Sequence, residues 1–361
     1  TGTNGKTTVT QLINHILKTN KFDTSALGTL GFEGPGGIQN TGFTTPESLE
    51  LQHIFQTLKV GGITHLNMEI SSHALSLNRV DNVDVDIAIF TNLTEEHLDF
   101  HKTMKNYFKA KLKLFKNLSS DKIAIINNDD KYSQKIINST KAKVLTYGFS
   151  YDSDIFPTKI NMSLFGSDFF INYEGKSLKV KTHLIGDYNI LNILASILAC
   201  YNLGIDLEKI INSINTLKTV PGRFQSYKTK NDGVVIVDYA HTPDAFDKVL
   251  SLVKKIDPKR NIISLFGCGG NRAGRRLRVP NTFDIQYMYK GNSNEYLHHI
   301  STCVLETMSV QYGGDRYKAY SPSQTERPAG GGEGAPPQRT DLTLNFAEIE
   351  IITQEDVDLG F

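Results

Sequence analysis

The sequence has few cysteines, no long apolar run and almost no net charge. Its three cysteines, Cys200, Cys268 and Cys303, lie far apart without CxxC spacing, which argues against a disulfide framework and a structural zinc site. No apolar run approaches the roughly 18–20 residues of a membrane span, and no secretory signal pattern opens the chain. A formal charge of +1 gives no nucleic-acid footprint. We therefore expect a soluble, cytoplasmic protein that binds neither nucleic acid nor membrane.

The use of basic residues changes along the chain. Residues 1–272 contain 27 Lys and 4 Arg, whereas residues 273–361 contain 2 Lys and 6 Arg. A Gly/Pro-rich stretch, residues 326–339, lies only in the second part and predicts a flexible loop. A chain of 361 residues is long enough for two or three domains. The change in basic residues therefore leads us to place a domain boundary near Arg272.

The chain opens with the string TGTNGKTT, which runs directly into an amphipathic helical pattern. Backbone N–H groups at such a helix start bind phosphate oxygens, aided by the helix dipole. Lys6 suits the β- and γ-phosphates of ATP, and Thr7 suits Mg²⁺. The alternative is a glycine turn that caps an ordinary helix. The predicted phosphate-binding residues are Gly2, Thr3, Asn4, Gly5, Lys6, Thr7 and Thr8.

Polar strings follow apolar runs further along the chain. Residues 63–70 and 86–90 predict buried strands, and the strings MEISSHAL (68–75) and FTNLTEEHLD (90–99) lie at their carboxyl ends. Open α/β sheets bind their ligands at the carboxyl ends of strands. The sequence therefore predicts a ligand site at these strand ends.

Nine motifs in order, from the opening loop to FGCGG at residues 266–270, resemble the Mur ligase family over about 272 residues. The resemblance implies an α/β fold. Residues 1–238 would form a central P-loop ATPase domain with a mostly parallel sheet, helices on both faces and a small antiparallel β insertion. Residues 239–272 would begin a Rossmann-like C-terminal domain, with a helix over 243–256 and a strand over 261–267.

The resemblance also implies an activity, that of an ATP-dependent ligase of peptidoglycan synthesis. In this chemistry a substrate carboxylate attacks the γ-phosphate of ATP, and an amine then displaces phosphate from the acyl-phosphate. The implied substrates are UDP-N-acetylmuramoyl-L-alanyl-D-glutamate and either meso-diaminopimelate or L-lysine. The implied cofactors are ATP and Mg²⁺, and we expect the ligase part to be monomeric.

The resemblance assigns the central roles to four side chains. Glu69 and His97 are implied to hold one magnesium ion, while Thr7 and a carbamylated Lys111 serve a second. With Lys6, the residues Glu69, His97 and Lys111 form the implied catalytic set. On composition alone, Glu69 would be a solvent-facing carboxylate and Lys111 part of a solvated basic helix face.

Further ligand contacts are implied at positions that match the family motifs. Hydroxyl and guanidinium groups suit a carboxylate-bearing substrate. Two amides at i, i+3 on one helix face suit the edge of adenine, although they would equally fit an ordinary helix start. One carboxylate is implied at the ribose or the domain hinge. The substrate set is Thr44, Thr45, Ser71 and Arg79, and the ATP set adds the amides Asn189 and Asn192, Arg223 and the carboxylate Asp238.

Two other patterns qualify the resemblance. Glu96 precedes His97 where the family usually has Asp. The string Ser71-Ser72-His73 invites a hydrolase interpretation, but no nucleophile-elbow pattern surrounds it.

Residues 273–361 depart from the Mur pattern. Residues 283–289 and 342–349 alternate with period two and predict strands of a β-rich segment. The order of strings is similar to the C-terminal part of tail-tube cap or baseplate proteins of contractile-tailed phages, which would contact tail-tube proteins. We therefore hypothesise a joined sequence, with a ligase piece lacking both ends and having little activity alone. The alternative function is a phage tail structural protein that carries an inert ligase segment.

Overall fold

The structure is a computed structural model that describes residues 1–34, 37–229, 233–240, 243–259 and 261–265. It also describes strand backbone at 288–289, 292–293, 303–312 and 340–348. The chain divides into two compact units, Thr1–Phe266 and Gly267–Phe361. The predicted loop at 326–339 and the boundary residue Arg272 lie outside the described residues. In the described part of the chain, no helix is both long and apolar enough to cross a membrane.

Two sheets form the framework of the first unit. In the first sheet, β1 pairs in parallel with β4, while β2 and β3 add antiparallel strands on the other side of β1. In the second sheet, β5 to β8 pair in parallel and β9 and β10 continue as antiparallel strands. The strands of the first sheet are β1 Thr24–Gly28, β2 Gly31–Gly34, β3 Gly37–Gln39 and β4 His65–Met68. Those of the second are β5 Ile87–Phe90, β6 Ile123–Asn127, β7 Lys143–Tyr147, β8 Ile155–Ser163, β9 Gly166–Tyr173 and β10 Lys176–Thr182.

Nine described helices accompany the sheets. Apolar residues at helical spacing explain why the longer ones bury one face, as in α1, where Val9, Leu12, Ile13 and Ile16 are buried. The helices are α1 Lys6–Thr19, α2 Ser48–Val60, α3 Ser72–Ser76, α4 Leu98–His101, α5 Met104–Lys116, α6 Ser133–Ile137, α7 Asp187–Asn202, α8 Leu207–Thr216 and α9 Pro243–Ile256. A short antiparallel pair, β11 Gln225–Lys228 and β12 Val234–Val237, precedes α9.

Helices cover both faces of the second sheet. Along β6, Ile125 belongs to a buried cluster that includes residues of α1, α7 and α8, whereas Ala124 and Ile126 belong to a second cluster that includes residues of α2 and α5. Successive side chains of a strand point to opposite faces of its sheet, so each face of β6 has its own core. The predicted α/β architecture with helices on both faces is confirmed.

Several predicted elements need correction. The run 63–70 forms the shorter strand β4, whose four residues are half-buried, because β4 is the last strand of its sheet. The strand predicted over 261–267 is wrong for residues 261–265, which take no regular structure and leave Ile263 and Leu265 almost fully exposed. No described strand pairs with them. By contrast, α9 has the predicted bounds.

The second unit contains two antiparallel pairs in its described backbone. β13 Met288–Tyr289 pairs with β14 Asn292–Ser293, and β15 Cys303–Tyr312 pairs with β16 Thr340–Glu348. The strand predicted over 342–349 therefore corresponds to β16, and that over 283–289 retains only its last two residues within the described part. The phage-like interpretation and the joined-sequence hypothesis stay predictions, as do the proposed domain bounds.

Candidate active site

The opening loop ends at the N-terminus of α1 and is fastened to the segment after β5. The Thr3 N–H donates to the carbonyl of Asn92 at 2.9 Å, and the Asn4 N–H donates to the Asn92 side chain at 2.9 Å. The Thr91 hydroxyl donates to the Asn4 carbonyl at 2.6 Å. The loop and the string after β5 therefore form one hydrogen-bonded unit.

Two glycines make this close packing possible. Gly5 caps α1 at φ 88°, a left-handed conformation that favours glycine. A Cβ at Gly5 would collide with the Asn192 amide of α7, and a Cβ at Gly2 would collide with the Thr91 hydroxyl. The loop backbone can approach its two neighbours only because both positions lack a side chain.

Glu69 is a buried carboxylate at the carboxyl end of β4, with only 2% of its surface exposed. It accepts hydrogen bonds from the Thr7 hydroxyl at 3.0 Å, from the Thr29 N–H at 2.8 Å and from the Thr29 hydroxyl at 3.3 Å. A Cβ at Gly28 would overlap this carboxylate. Glu69 is therefore held in one position beside α1, and its interpretation as a solvent-facing carboxylate is wrong.

Two lysines form the basic side of the loop, Lys111 fully buried and Lys6 half-buried. Lys6 donates to the carbonyls of Gly2 and Thr3, at 3.0 and 2.8 Å, and Lys111 donates to the Gly2 carbonyl at 2.9 Å. Burial lowers the pKa of Lys6 below its usual 10.5, against the opposing charge of Glu69. Burial, and then the charge of Lys6, lower the pKa of Lys111 well below 10.5. The composition-based expectation of a solvated Lys111 is wrong, because α5 turns it inward.

Tyr107 connects this basic side to the loop, and sequence reasoning missed it. Its hydroxyl lies 3.1 Å from the Thr3 hydroxyl, and the Lys111 ammonium lies 4.6 Å from its ring centroid. The side chain is fully buried. The spacing Tyr107, Lys111, Leu114 places all three on one apolar face of α5, so the helical pattern carried a signal for the inward position of both Tyr107 and Lys111.

His97 lies in an aromatic group beside the same helix. It has φ 56° and caps α4, and its ring is 4.7 Å from His73 and 6.1 Å from Tyr107. Burial, followed by the nearby His73 and lysine charges, lowers the pKa of His97 to about 4. The ring is therefore neutral at pH 7, the state in which histidine binds metals.

Three of the predicted substrate residues lie close together beside the carboxyl end of β4. The Thr45 hydroxyl donates to the Glu69 carbonyl at 2.8 Å and accepts from the Ser71 N–H at 3.0 Å. Arg79 donates to the Thr45 carbonyl at 3.1 Å. Arg79 also pairs with Glu47, and its Nε is buried without a hydrogen-bond partner among the described residues. A further predicted residue, Thr44, lies 3.3 Å from Thr29 through the two hydroxyls.

Some of the residues predicted to contact ATP from the second half of the unit lie at the loop, and others do not. Arg223 donates to the Thr7 hydroxyl at 3.2 Å, and Asn192 lies against Gly5. Asn189 accepts from Asn192 at 3.2 Å and donates to a main-chain carbonyl, so both amides are buried. Asp238 accepts from the N–H groups of Phe224 and Ala240, both at 2.7 Å, which places it in the connection between β12 and α9. Thr8 is buried within α1.

The side chains at the loop offer part of a magnesium site. Thr7 and Glu69 provide a hydroxyl and a carboxylate oxygen 3.0 Å apart, the ligand chemistry that Mg²⁺ prefers. Lys111 would repel a cation as an ammonium group, whereas a carbamate there would attract one. Among the described residues, no three His, Cys, Asp or Glu side chains group as a ready-made metal site. Thr7 and Glu69 fit the ion, while the roles of His97 and Lys111 stay predictions.

Comparison with known proteins identifies the family. The profile of the Mur ligase middle domain matches residues 1–200, more than half of the chain. The chain belongs to the Mur ligase family. The profile of the Mur ligase glutamate ligase domain matches residues 222–280. The family resemblance drawn from the motifs is confirmed.

Individual relatives sharpen this assignment. The chain is 42% identical over 275 residues to UDP-N-acetylmuramoyl-L-alanyl-D-glutamate--2,6-diaminopimelate ligase 1 of Clostridium acetobutylicum, covering 75% of this chain and 56% of that one. The corresponding ligase of Clostridium tetani is also 42% identical, with the same coverage. A solved structure of such a ligase superposes with a TM-score of 0.62 at 33% identity, again over 75% and 56% of the two chains. The chain thus spans about half the length of the curated relatives it matches.

Proposed function

We propose that this Mur ligase chain forms an amide bond at the expense of ATP, adding the third residue to UDP-N-acetylmuramoyl-L-alanyl-D-glutamate in cytoplasmic peptidoglycan synthesis. The observation that carries the proposal is the arrangement of Lys6, Thr7 and Glu69 around one helix N-terminus. A half-buried ammonium group, a hydroxyl and a fixed carboxylate meet there. This is the equipment that binds a nucleotide phosphate with its metal ion.

Each side chain would act through its charge and position. Lys6 would place its cation on the β- and γ-phosphates, and Arg223 would add a second cation, since it already reaches Thr7. Thr7 and Glu69 would hold magnesium, which neutralises phosphate charge when bound. Arg79, beside Thr45, would orient the substrate carboxylate. We propose Gly2 to Thr8, Asn189, Asn192 and Asp238 as the remaining nucleotide contacts, with Thr44 and Ser71 on the substrate side.

The bonds made and broken follow from this arrangement. A carboxylate oxygen of the substrate would attack the γ-phosphorus, and the bond to the ADP oxygen would break. The amine of the incoming amino acid would then attack the acyl carbon and expel phosphate, losing a proton to solvent or base. Positioning and electrostatic stabilisation supply most of the rate enhancement in phosphoryl transfer, which suits a site built from fixed charges.

The amino acid is proposed from the relatives. Because the most similar ones reported above are named as 2,6-diaminopimelate ligases, we propose meso-diaminopimelate as the acceptor in preference to L-lysine. Phosphate release in the presence of ATP, the UDP-linked substrate and each amino acid in turn distinguishes them. Greater release with lysine would overturn this choice without affecting the ATP site.

The ATP site can be tested on the full chain by calorimetric titration with a non-hydrolysable ATP analogue and Mg²⁺. Lys6→Met should weaken binding at least tenfold, because it removes a cation from the phosphates. The matched control is Lys18→Met on the same helix, whose side chain is 43% exposed and which should bind within about twofold of the parent. Circular dichroism would confirm that both variants fold. Absence of binding by the folded parent chain would refute the proposed function.

A further inference from the structure

Residues 91–94, here called the bridging segment, follow β5 and take no regular structure. They contact the opening loop through the Thr91 hydroxyl and through the carbonyl and side chain of Asn92. The Thr94 N–H donates to the Thr3 hydroxyl at 3.0 Å. A segment without regular structure depends on individual hydrogen bonds for its position, because no ladder satisfies its backbone groups. Other residues that fix the bridging segment therefore also influence the position of the loop.

Asn127, the last residue of β6, fixes the start of the bridging segment. The parallel pairing of β5 with β6 ends at Phe90 and Ile126. Beyond it, the Asn127 side-chain amide donates to the Thr91 carbonyl at 2.7 Å, and its oxygen accepts from the Asp129 N–H at 3.0 Å. Because an amide side chain has one donor end and one acceptor end, these two bonds set its orientation. Asn127 is only 5% exposed, so a lost bond there would leave a buried group unsatisfied.

Asp130 fixes the bridging segment two residues further on. Its carboxylate accepts from the Leu93 N–H at 2.8 Å through one oxygen and from the Tyr132 N–H at 2.9 Å through the other. The neighbouring carboxylate of Asp129 accepts instead from the Phe149 N–H at 2.8 Å, just after β7. Two consecutive carboxylates at the end of β6 thus hold different parts of the chain. Of the two, only Asp130 contacts the bridging segment by a side-chain hydrogen bond within the part of the chain that the structure describes.

We propose that Asn127 and Asp130 are positioning residues for the opening loop, which they hold through the bridging segment. The inference rests on the proposed function, because it assigns both residues to ATP binding at this loop. Within the described residues, neither side chain bonds to the loop itself, so each would act on ATP only through the bridging segment. If that segment shifts, the N–H groups of Thr3 and Asn4 lose their Asn92 acceptors and the loop backbone moves. A movement of about 0.5 Å is enough to spoil a binding geometry, so both residues should matter for ATP affinity.

The test compares Asp130→Ala with Asp129→Ala in the full chain. Both variants remove one negative charge and one acceptor of a main-chain N–H from adjacent positions, so they are matched in charge and chemistry. Calorimetric titration with the non-hydrolysable ATP analogue and Mg²⁺ should show about fivefold weaker binding for Asp130→Ala, the equivalent of one lost hydrogen bond. Asp129→Ala should bind within about twofold of the parent. Loss of a negative charge alone would strengthen the binding of an anionic nucleotide, which is the opposite sign.

Two further measurements separate positioning from a general loss of stability. Hydrogen exchange at the Thr3 and Asn4 amides should be at least about tenfold faster in Asp130→Ala than in Asp129→Ala, because only the former releases the bridging segment. Asp130→Asn keeps one acceptor oxygen for the Leu93 N–H, so it should recover much of the lost affinity. A merely structural Asp130 would leave hydrogen exchange in the loop unchanged.

Asn127 is tested by Asn127→Asp, which keeps the bond from the Asp129 N–H but sets an oxygen against the Thr91 carbonyl. This variant should weaken binding of the analogue about fivefold or more. Thr91→Val removes the hydroxyl that donates to the Asn4 carbonyl. When Thr91→Val is combined with Asp130→Ala, the loss of affinity should be smaller than the product of the two single losses, because both act through the bridging segment.

Three results would overturn this inference alone. If the parent binds the analogue and Asp130→Ala binds it equally well, the proposed function stands and the positioning role fails. Equal weakening by Asp130→Ala and Asp129→Ala would show that the end of β6 supports the fold in general. Losses that multiply in the double variant would show that Asp130 acts independently of the bridging segment. If the folded parent does not bind the analogue, the ATP site itself is refuted, and the inference falls with it.

Discussion

The opening loop lies between two sides of opposite charge, and their charges are balanced differently. On the acidic side, the Glu69 carboxylate accepts three hydrogen bonds from Thr7 and Thr29. On the basic side, the hydrogen bonds that Lys6 and Lys111 make within the described residues go to neutral carbonyls, and both ammonium groups use that of Gly2. Each charge thus has neutral hydrogen-bond partners, but burial, and then the positive charge of Lys6, lower the pKa of Lys111, against the opposing charge of Glu96.

We therefore expect the Glu69 carboxylate to stabilise the folded chain, and the Lys6 and Lys111 ammonium groups to destabilise it until an anion binds. A buried carboxylate with fixed donors resists removal, because its partners would be left unsatisfied. A buried cation beside a second cation costs free energy until an anion binds, and lowered pKa values are typical of such groups. Removing the Glu69 carboxylate should therefore lower the free energy of unfolding, and removing a lysine of the basic side should raise it.

The largest effect is expected at the acidic side. Glu69→Leu should lower the free energy of unfolding by about 3 kcal/mol, because the Thr7 and Thr29 donors lose their acceptor in a buried site. Glu69→Gln should cost about 1 kcal/mol, since one oxygen remains. Urea denaturation measures both. The control is Glu33→Leu, a half-exposed carboxylate that pairs with Lys18 and accepts from Asn14 at 3.1 Å, which should cost about 1 kcal/mol, less than Glu69→Leu. Equal losses at Glu69 and Glu33 would break the comparison.

On the basic side, a substitution should raise the free energy of unfolding instead of lowering it. Lys111→Met should raise the free energy of unfolding by about 1–2 kcal/mol at pH 7, because it removes a buried cation next to Lys6 and keeps a similar volume. Lys113→Met, on the exposed side of the same helix, should bring no gain, since it loses contacts with Asn78 and Asp81. A loss of stability in Lys111→Met would contradict the prediction.

The pH dependence provides a second measurement of the same effect. The pKa of Lys111 is lower in the folded chain than its usual 10.5, so between these two values the unfolded chain binds more protons. The stability of the parent should therefore rise with pH through this window and level off above about 10.5, where both states are neutral. Below the pKa that Lys111 has in the folded chain, burial of its charged form destabilises the chain in full. Lys111→Met should show a flatter profile over the same range, and an unchanged slope would exclude Lys111 as its source.

The sequence predicted the parts of the site whose signals are local. Helix α1 follows a glycine loop, α9 has its predicted bounds, and both polar strings follow strands, with Glu69 in contact with Thr7 and Thr91 in contact with Asn4. Lys111 was predicted inside the site only through the family. Its burial was nevertheless encoded, since Tyr107 and Leu114 flank it at four and three residues on the apolar face of α5.

Other features depend on contacts that no local pattern encodes. Gly28 and Glu69 are far apart in sequence, and the need for glycine arises only when the carboxylate is placed against it. Residues 261–265 have a strand-like sequence but no described strand to pair with, and pairing determines whether such a run forms a strand.

The smallest expected effect separates loop positioning from simple packing. Tyr107→Phe should cost about 1 kcal/mol, because it removes one buried hydrogen bond to Thr3. The matched control is Tyr147→Phe, since Tyr147 is also fully buried and its hydroxyl donates at 3.0 Å to the carbonyl of Phe90 and not to a residue of the loop itself. Both variants should lose similar stability by urea denaturation. Only Tyr107→Phe should weaken binding of the ATP analogue, by several-fold, because Thr3 and Lys111 both contact this side chain. If the two variants bind the analogue equally well, Tyr107 serves the fold alone, and the basic side positions the loop without it.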